Sequence, residues 1–243
     1  MQVIGVIPAR YDSVRFPGKP LVDIRGKTMI QRVYERASMA KKLDFVVVAT
    51  DDLRIRDAVK AFGGEVEMTS PSHPSGTDRV AETALKYPKA DLVMNIQGDE
   101  PFIFPDQIDQ LVLFIEERTN LGVATMAKSI RDQTLIEDPN VVKVVTDQEG
   151  AALYFSRSPI PYQRGRAVTA EYKKHIGLYI FRSTVLQQIT KLEPHPLEQI
   201  EKLEQLRWLA NGFKIGVTET ALESIAIDHP ADLVRLEKFF DQL

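Results

Sequence analysis

Three cations, Arg10, Arg15 and Lys19, fall within ten residues of one another and are opposed there only by Asp12. A cluster of that kind suits the anionic oxygens of phosphates, which take charge-assisted hydrogen bonds from guanidinium and ammonium groups. Pro8, Pro17 and Pro20 restrict the backbone of the segment, and Gly18 allows a close approach to a ligand. The segment therefore reads as a preorganised cradle. It is not a P-loop, because Gly18-Lys19 is followed by Pro20 and the upstream glycine spacing is absent. The plainer alternative is a solvated basic loop.

Two further segments end an apolar run in an acid. In Asn95-Ile96-Gln97-Gly98-Asp99-Glu100-Pro101 the run stops at Gly98 and is followed by Asp99 and Glu100; in Ile225-Ala226-Ile227-Asp228-His229-Pro230 it is followed by Asp228. A hard cation that bridges nucleotide phosphates takes one or two carboxylates and completes its shell with phosphate oxygens. Each acid alone has an ordinary explanation, Asp99 as part of an acidic turn and Asp228 as the N-cap of a helix near Pro230. Beside the cationic loop, the two together describe a metal-triphosphate site.

Weaker candidates follow. Thr50-Asp51-Asp52 would either touch a nucleotide or cap the next helix, and the cap is the simpler reading. Ser75-Gly76-Thr77-Asp78-Arg79 has the form of a capping box, whose free helix N-terminus also suits a polar base edge or an anion. By period two, His175, Gly177 and Tyr179 share one face of a strand while Ile176, Leu178 and Ile180 share the other. The polar face would suit a sugar, although a single strand histidine is more often structural. Over 197–209, Leu197, Ile200, Leu203 and Leu206 form an apolar stripe beside Glu198, Glu201 and Glu204, as expected of a packed helix with a solvated acidic face.

These residues need elements to carry them. Short apolar runs recur at 3–7, 45–49, 92–96, 123–126, 141–145, 215–217 and 224–227, each followed by polar or Gly/Pro punctuation and then a helical pattern. Runs apolar on both faces suit parallel strands covered by helices, so the expected fold class is α/β, an open, mostly parallel, Rossmann-like sheet. Ligands of such sheets lie outside the carboxyl ends of the strands, where the loop and both acids fall. Helices are expected over 29–40, 53–62, 107–117 and 231–240, the second stopped by Gly63-Gly64. From 151 to 181 the pattern alternates and is β-rich around a polar stretch at 163–173, an antiparallel excursion that would cover a site, mediate dimerisation, or both.

Composition narrows the classes. The 243 residues are enough for one large domain, read here as a single domain over 1–243, and no internal repeat is visible. With 31 Lys+Arg against 34 Asp+Glu the net charge is −3, which gives no overall field for nucleic acid. The absence of cysteine removes disulfides and thiolate metal sites. No apolar run approaches the ~18 residues of a membrane span, and the run at 3–7 is too short for a signal-peptide core. The expected location is cytoplasmic, with no membrane and no nucleic-acid partner.

Taken together, these segments resemble the 3-deoxy-manno-octulosonate cytidylyltransferase family, also called CMP-Kdo synthetase. The likeness is carried by Pro8-Ala9-Arg10 through Arg15-Phe16-Pro17-Gly18-Lys19-Pro20-Leu21, Ala49-Thr50-Asp51, the Ser75 to Arg79 segment, Gln97-Gly98-Asp99-Glu100-Pro101, and Asn140-Val141-Val142-Lys143-Val144-Val145. It continues through Ala152-Leu153-Tyr154-Phe155-Ser156-Arg157, Lys174-His175-Ile176-Gly177-Leu178-Tyr179 and Leu203-Glu204-Gln205-Leu206-Arg207, so it runs in order along nearly the whole chain. The resemblance implies a fold of the nucleotide-diphospho-sugar transferase type, a homodimer, and a reaction that couples CTP to the sugar acid Kdo and releases pyrophosphate, in supply of lipopolysaccharide. By motif matching, Arg10, Ser13, Arg15 and Lys19 would hold the phosphates, and Thr50, Asp51, Ser75, Gly76, Arg79 and Gln97 would surround the nucleotide. Asp99 and Asp228 would bind Mg²⁺. Arg157, His175, Tyr179, Glu204 and Gln205 would meet the sugar acid, a guanidinium being well suited to its carboxylate.

The mechanism so implied is in-line attack of the sugar's C2 hydroxyl on the α-phosphorus, with Lys19, Asp99 and Asp228 at the catalytic centre. The segment 163–173 has no clear match to the family text, so 8-amino-Kdo stays open as the sugar. A sialic acid synthetase shares the chemistry, but its phosphate loop typically lacks the Arg-Phe-Pro-Gly-Lys-Pro-Leu text. A nucleotide-binding module without catalysis would keep the cationic loop and need neither strand-end aspartates nor a sugar face.

Overall fold

The computed structural model describes residues 1–12, 16–165, 167–233 and 236. It divides into two compact units, one formed by 1–109 with 224–243 and the other by 110–223. The fold is mixed α/β, with a mostly parallel central sheet and antiparallel pairing beside it.

The first unit begins with β1 (Gln2–Ala9), a two-residue ribbon of β2 (Asp23–Ile24) and β3 (Lys27–Thr28), and α1 (Met29–Ala37). It continues with β4 (Phe45–Thr50), α2 (Leu53–Ala61), β5 (Val66–Met68), α3 (Gly76–Leu85), β6 (Ala90–Asn95) and α4 (Pro105–Glu116), within which the boundary falls. The strands lie in the order β6-β1-β4-β5, all parallel. Ile4, Ile7, Val47, Val48, Leu92 and Val93 are fully buried, which is why these runs carry no polar alternation. The chain proceeds from β1 to β4 and β5 on one side, then returns to place β6 on the other side of β1. That reversal is a topological switch point, and it opens a crevice at the carboxyl ends of β1 and β6.

The sequence-based helices at 29–40, 53–62 and 107–117 form with shifted ends, α1 stopping at Ala37 and α4 starting at Pro105. Gly63, at φ 81°, ends the α2 turn as expected. The run at 224–227 is not a strand. Among the described residues, the run's one backbone bond to the neighbouring segment is from the Ile227 N–H to the Asp99 carbonyl at 2.9 Å. Ile225 and Ile227 instead pack on Ile24, Met29 and Leu236. Residues 230–233 and 236 are helical, and the rest of the segment expected at 231–240 lies outside the described residues, as do Ser13 and Arg15.

The second unit holds β7 (Val123–Ile130), α5 (Gln133–Glu137), β8 (Lys143–Thr146), β9 (Ala152–Ser156) and β10 (Tyr172–Arg182). It ends with α6 (Ser183–Ile189), α7 (Pro196–Glu201), α8 (Gln205–Ala210) and β11 (Ile215–Glu219). β11 runs parallel to β7, whereas β10 is antiparallel to β7 and β8, and β8 is antiparallel to β9. Antiparallel pairing therefore already involves β7 and β8, earlier in the chain than the alternation at 151 suggested, and the run at 141–145 opens a hairpin in place of a βα unit. The signal was the turn itself. Asp147 accepts the N–H groups of Glu149 and Ala151, and Gly150 takes φ 79°.

Candidate active site

The cationic loop leaves β1 at Ala9, and register places Ala9 beside Thr50 and Val6 beside Asn95, so Arg10, Asp51 and Gln97 follow at one sheet edge. Arg10 donates to the backbone carbonyls of His73 and Ser75, tying the loop to the start of α3. Gly18, at φ 73°, donates its N–H to the Tyr11 carbonyl at 2.8 Å and lies under the Tyr11 ring; it begins the short 3-10 turn that projects Lys19. Gly98 is needed for a different reason. A Cβ there would stand 2.9 Å from the Pro8 carbonyl oxygen, so only glycine lets the end of β6 approach the end of β1 this closely.

Between these segments lies a cavity of about 440 Å³ lined by Arg10, Lys19, Ser75, Gly76, Gln97 and Asp99, with Asp12 and Pro8 beside them. The Lys19 ammonium is its charged focus. Nζ stands 2.8 Å from Asp99 Oδ2 and 3.6 Å from Asp228 Oδ1, and donates to the Ile227 carbonyl at 3.0 Å. The apolar packing of Ile225 and Ile227 and the Ile227–Asp99 backbone bond thus bring together two acids 129 positions apart in sequence. Asp232, in the first turn of the helical stretch that begins at 230, accepts the N–H groups of Asp228 and His229 just before it. Two carboxylates converging on one point beside a cationic cavity fit the donor set of a magnesium ion that arrives with phosphates.

Other residues expected at the nucleotide take supporting places. Ser75 is the N-cap of α3, accepting from the Asp78 N–H at 3.1 Å, and also lines the cavity. Thr50 is fully buried and accepts from the Asp52 N–H, while Asp52 caps α2. Arg79 is fully buried too, against Thr69, with Asp51 3.3 Å from Nη2. Burial lowers the Arg79 pKa and the Asp51 charge opposes that shift. Asp51 and Arg79 form an internal ion pair beneath the edge and are not among the residues lining the cavity.

The second unit gathers the remaining candidates. Arg157 follows β9 and lies on the turn between α7 and α8: Nε donates to the Glu201 carbonyl at 2.7 Å, Nη2 to the Lys202 carbonyl at 3.4 Å, and Nη1 to the Pro139 carbonyl at 2.8 Å. The same turn carries Glu204 and the buried Gln205. The segment 197–209 is thus two short helices, broken where Lys202 adopts a left-handed conformation, and Ile200 is 77% exposed. Its acids are not a solvated face. Glu198 and Glu204 both pair with Arg207, and Glu201 binds Ser156 and the Arg157 N–H.

On β10, the rings of His175 and Tyr179 are 5.3 Å apart, and Phe155 meets His175 edge-on at 5.1 Å. The residue keeps some exposed surface, yet desolvation of the imidazole among these groups pushes its pKa down to about 3. Thr125 Oγ1 lies 3.0 Å from His175 Nε2 and within 3.0 Å of the Ile176 and Leu178 carbonyls. A hydroxyl has one proton and those carbonyls compete for it, so Nε2 must supply its own. His175 is then neutral, with an accepting lone pair at Nδ1. Burial and the Glu204 charge raise the Tyr179 pKa well above its ordinary value, so its hydroxyl remains a donor. Sequence reasoning passed over Thr125, took Lys143 only as part of the family text and read Glu201 as one acid of a solvated helix face, because the roles of these side chains are set by partners that no local pattern reveals.

A cationic cavity with paired aspartates at the switch point of a parallel sheet defines a nucleotide-binding α/β protein. The family model described as Cytidylyltransferase matches residues 4–215. The chain is 50% identical over 98% of its length to the 3-deoxy-manno-octulosonate cytidylyltransferase of Solibacter usitatus, covering 94% of that protein, and 51% identical to that of Parabacteroides distasonis, covering 98% of both. A solved structure of CMP:2-keto-3-deoxy-manno-octonic acid synthetase complexed with CTP superposes with a TM-score of 0.94 at 45% identity, over 100% of this chain and 99% of that one. The chain belongs to the 3-deoxy-manno-octulosonate cytidylyltransferase family. A 4-diphosphocytidyl-2C-methyl-D-erythritol synthase from Anaerococcus prevotii, at 13% identity and a TM-score of 0.64, shares the fold.

Proposed function

We propose that the protein is a magnesium-dependent cytidylyltransferase that converts CTP and Kdo to CMP-Kdo and pyrophosphate. The observation that carries this is the convergence of Asp99 and Asp228 on Lys19 at the cationic cavity. The family relation narrows it to Kdo. Arg10 and Lys19, joined by Ser13 and Arg15 from the family pattern, hold the triphosphate, and Ser75, Gly76 and Gln97 border the nucleotide. Asp99 and Asp228 would hold Mg²⁺, which when bound supplies positive charge to the phosphate oxygens as the transition state forms.

The sugar's C2 hydroxyl attacks the α-phosphorus in line and gives up its proton to water, the bond between the α-phosphorus and the bridging oxygen to the β-phosphate breaks, and pyrophosphate leaves with that oxygen. Arg157 takes the sugar carboxylate, Tyr179 donates to a sugar oxygen, and His175 accepts a hydroxyl proton in a hydrogen bond through Nδ1. With its pKa near 3, His175 does not serve as the base at neutral pH. Glu204 and Gln205 complete the sugar face. Both units serve one catalytic domain, and the enzyme works as a cytoplasmic homodimer.

The test is pyrophosphate release from CTP and Mg²⁺ with no sugar, Kdo, 8-amino-Kdo or N-acetylneuraminate. Release with Kdo is expected. Release only with 8-amino-Kdo or only with N-acetylneuraminate would reassign the sugar, and CTP binding without release under any condition would leave a nucleotide-binding module.

A further inference from the structure

Arg157 is held at more points than a surface arginine needs. Its backbone N–H donates to Glu201 Oε2 at 2.9 Å, and Glu201 Oε1 accepts from the Ser156 hydroxyl at 2.6 Å. Its carbonyl accepts from Lys143 Nζ at 2.5 Å. Lys143 is fully buried, and its remaining donors go to the Val141 and Asp138 carbonyls at 2.6 and 3.0 Å, so the ammonium is saturated by backbone oxygens. The guanidinium is meanwhile aimed by three more carbonyls, two of them on Glu201 and Lys202.

This arrangement spends neutral acceptors on a cation. Among the described residues no carboxylate pairs with the Arg157 guanidinium, although Glu201 reaches the same residue's backbone. Of its five N–H groups three are engaged, which leaves one on each terminal nitrogen. A guanidinium with its charge uncompensated and one donor free at each end is prepared for a planar anion such as a carboxylate.

We infer that Glu201 is a positioning residue for Arg157, fixing its main chain by the carboxylate and its side chain by the backbone carbonyl of the same residue. The inference rests on Arg157 being the site of the sugar-acid carboxylate. Glu201 touches no substrate. It sets the direction in which Arg157 presents its two free donors, with Lys143 holding the far side of the same peptide.

The test uses steady-state kinetics of the full chain with CTP, Kdo and Mg²⁺, on Glu201→Ala, Glu201→Gln, Arg157→Ala and the double variant Glu201→Ala/Arg157→Ala. Glu201→Ala is expected to raise KM for Kdo roughly ten- to a hundredfold, the range of a lost hydrogen bond to a charged group, with KM for CTP changed less than about twofold. Glu201→Gln keeps an acceptor oxygen, is expected to recover part of the loss, and serves as the informative variant if the alanine protein does not fold. In the Arg157→Ala background, Glu201→Ala is expected to add nothing. Equal effects in both backgrounds, or a parallel rise in both KM values, would make Glu201 merely structural and overturn the inference. An unchanged KM for Kdo in Arg157→Ala alone would instead refute the sugar-carboxylate role of Arg157.

Discussion

At the scale of single residues, charge placement decides function. Asp99 and Asp228 share the Lys19 ammonium, and Asp99→Asn is expected to lower kcat by roughly a hundredfold or more while the protein stays folded, as loss of one electrostatic stabiliser does. Near-normal turnover of a folded variant would remove Asp99 from the centre. His175 makes a prediction about pH. Its folded pKa is about 3, below the ordinary 6.5, so between these values the unfolded chain takes up a proton that the folded chain refuses. Stability tied to His175 is therefore present above about 6.5 and falls as the pH drops toward 3. Urea denaturation from pH 7 to pH 4 should show a shallower decline for His175→Gln than for the parent protein. The buried pair of Arg79 and Asp51 makes a third. Asp51→Ala strands a buried guanidinium and is expected to cost roughly 3 kcal/mol in urea denaturation, whereas Asp51→Ala with Arg79→Met together should cost less.

At the scale of elements, the contact between the ends of β1 and β6 fixes the cationic loop relative to Asp99. Gly98→Ala would push a methyl group against the Pro8 carbonyl at 2.9 Å and move Gln97 and Asp99 away from Arg10. A displacement of about 1 Å can cost a hundredfold in rate, so kcat is expected to fall by one to two orders of magnitude with a much smaller change in Tm. The same scale shows what was legible in the sequence. Buried parallel strands announce themselves by continuous apolar text, and β1, β4 and β6 fall where that text is. β5 did not, because three residues with Glu67 in the middle make no run. The run at 224–227 has strand composition but pairs as a single backbone bond, since packing on Ile24 and Met29 satisfies its apolar side chains without a ladder. Arg10, Lys19 and Asp99 could be read from residue type and strand-end position. The supports of Arg157 and the tautomer of His175 depend on contacts between residues 14 to 50 positions apart, which no local pattern encodes.

At the scale of the whole molecule, the antiparallel segment presents Leu153, Tyr162 and Val168 at 62%, 85% and 79% exposure. Such side chains suit the proposed dimer, and sedimentation equilibrium is expected to give twice the chain mass; a monomer at micromolar concentration would refute it. The order of the chain through its two units has another effect. Residues 110–223 are interposed within the first unit, which regains its partner segment only from 224 onward. Ile227 and Leu236 close the cluster on Ile24 and Met29, and Asp228 joins Lys19 in the same stretch. On the ribosome the cationic loop and Asp99 are made early, yet the second aspartate and the apolar closure emerge only after the inserted unit has been synthesised. A chain stopped at residue 223 would carry nearly every residue proposed to meet the nucleotide and still lack half of its acid pair, so translation itself sets the moment at which the proposed site becomes complete.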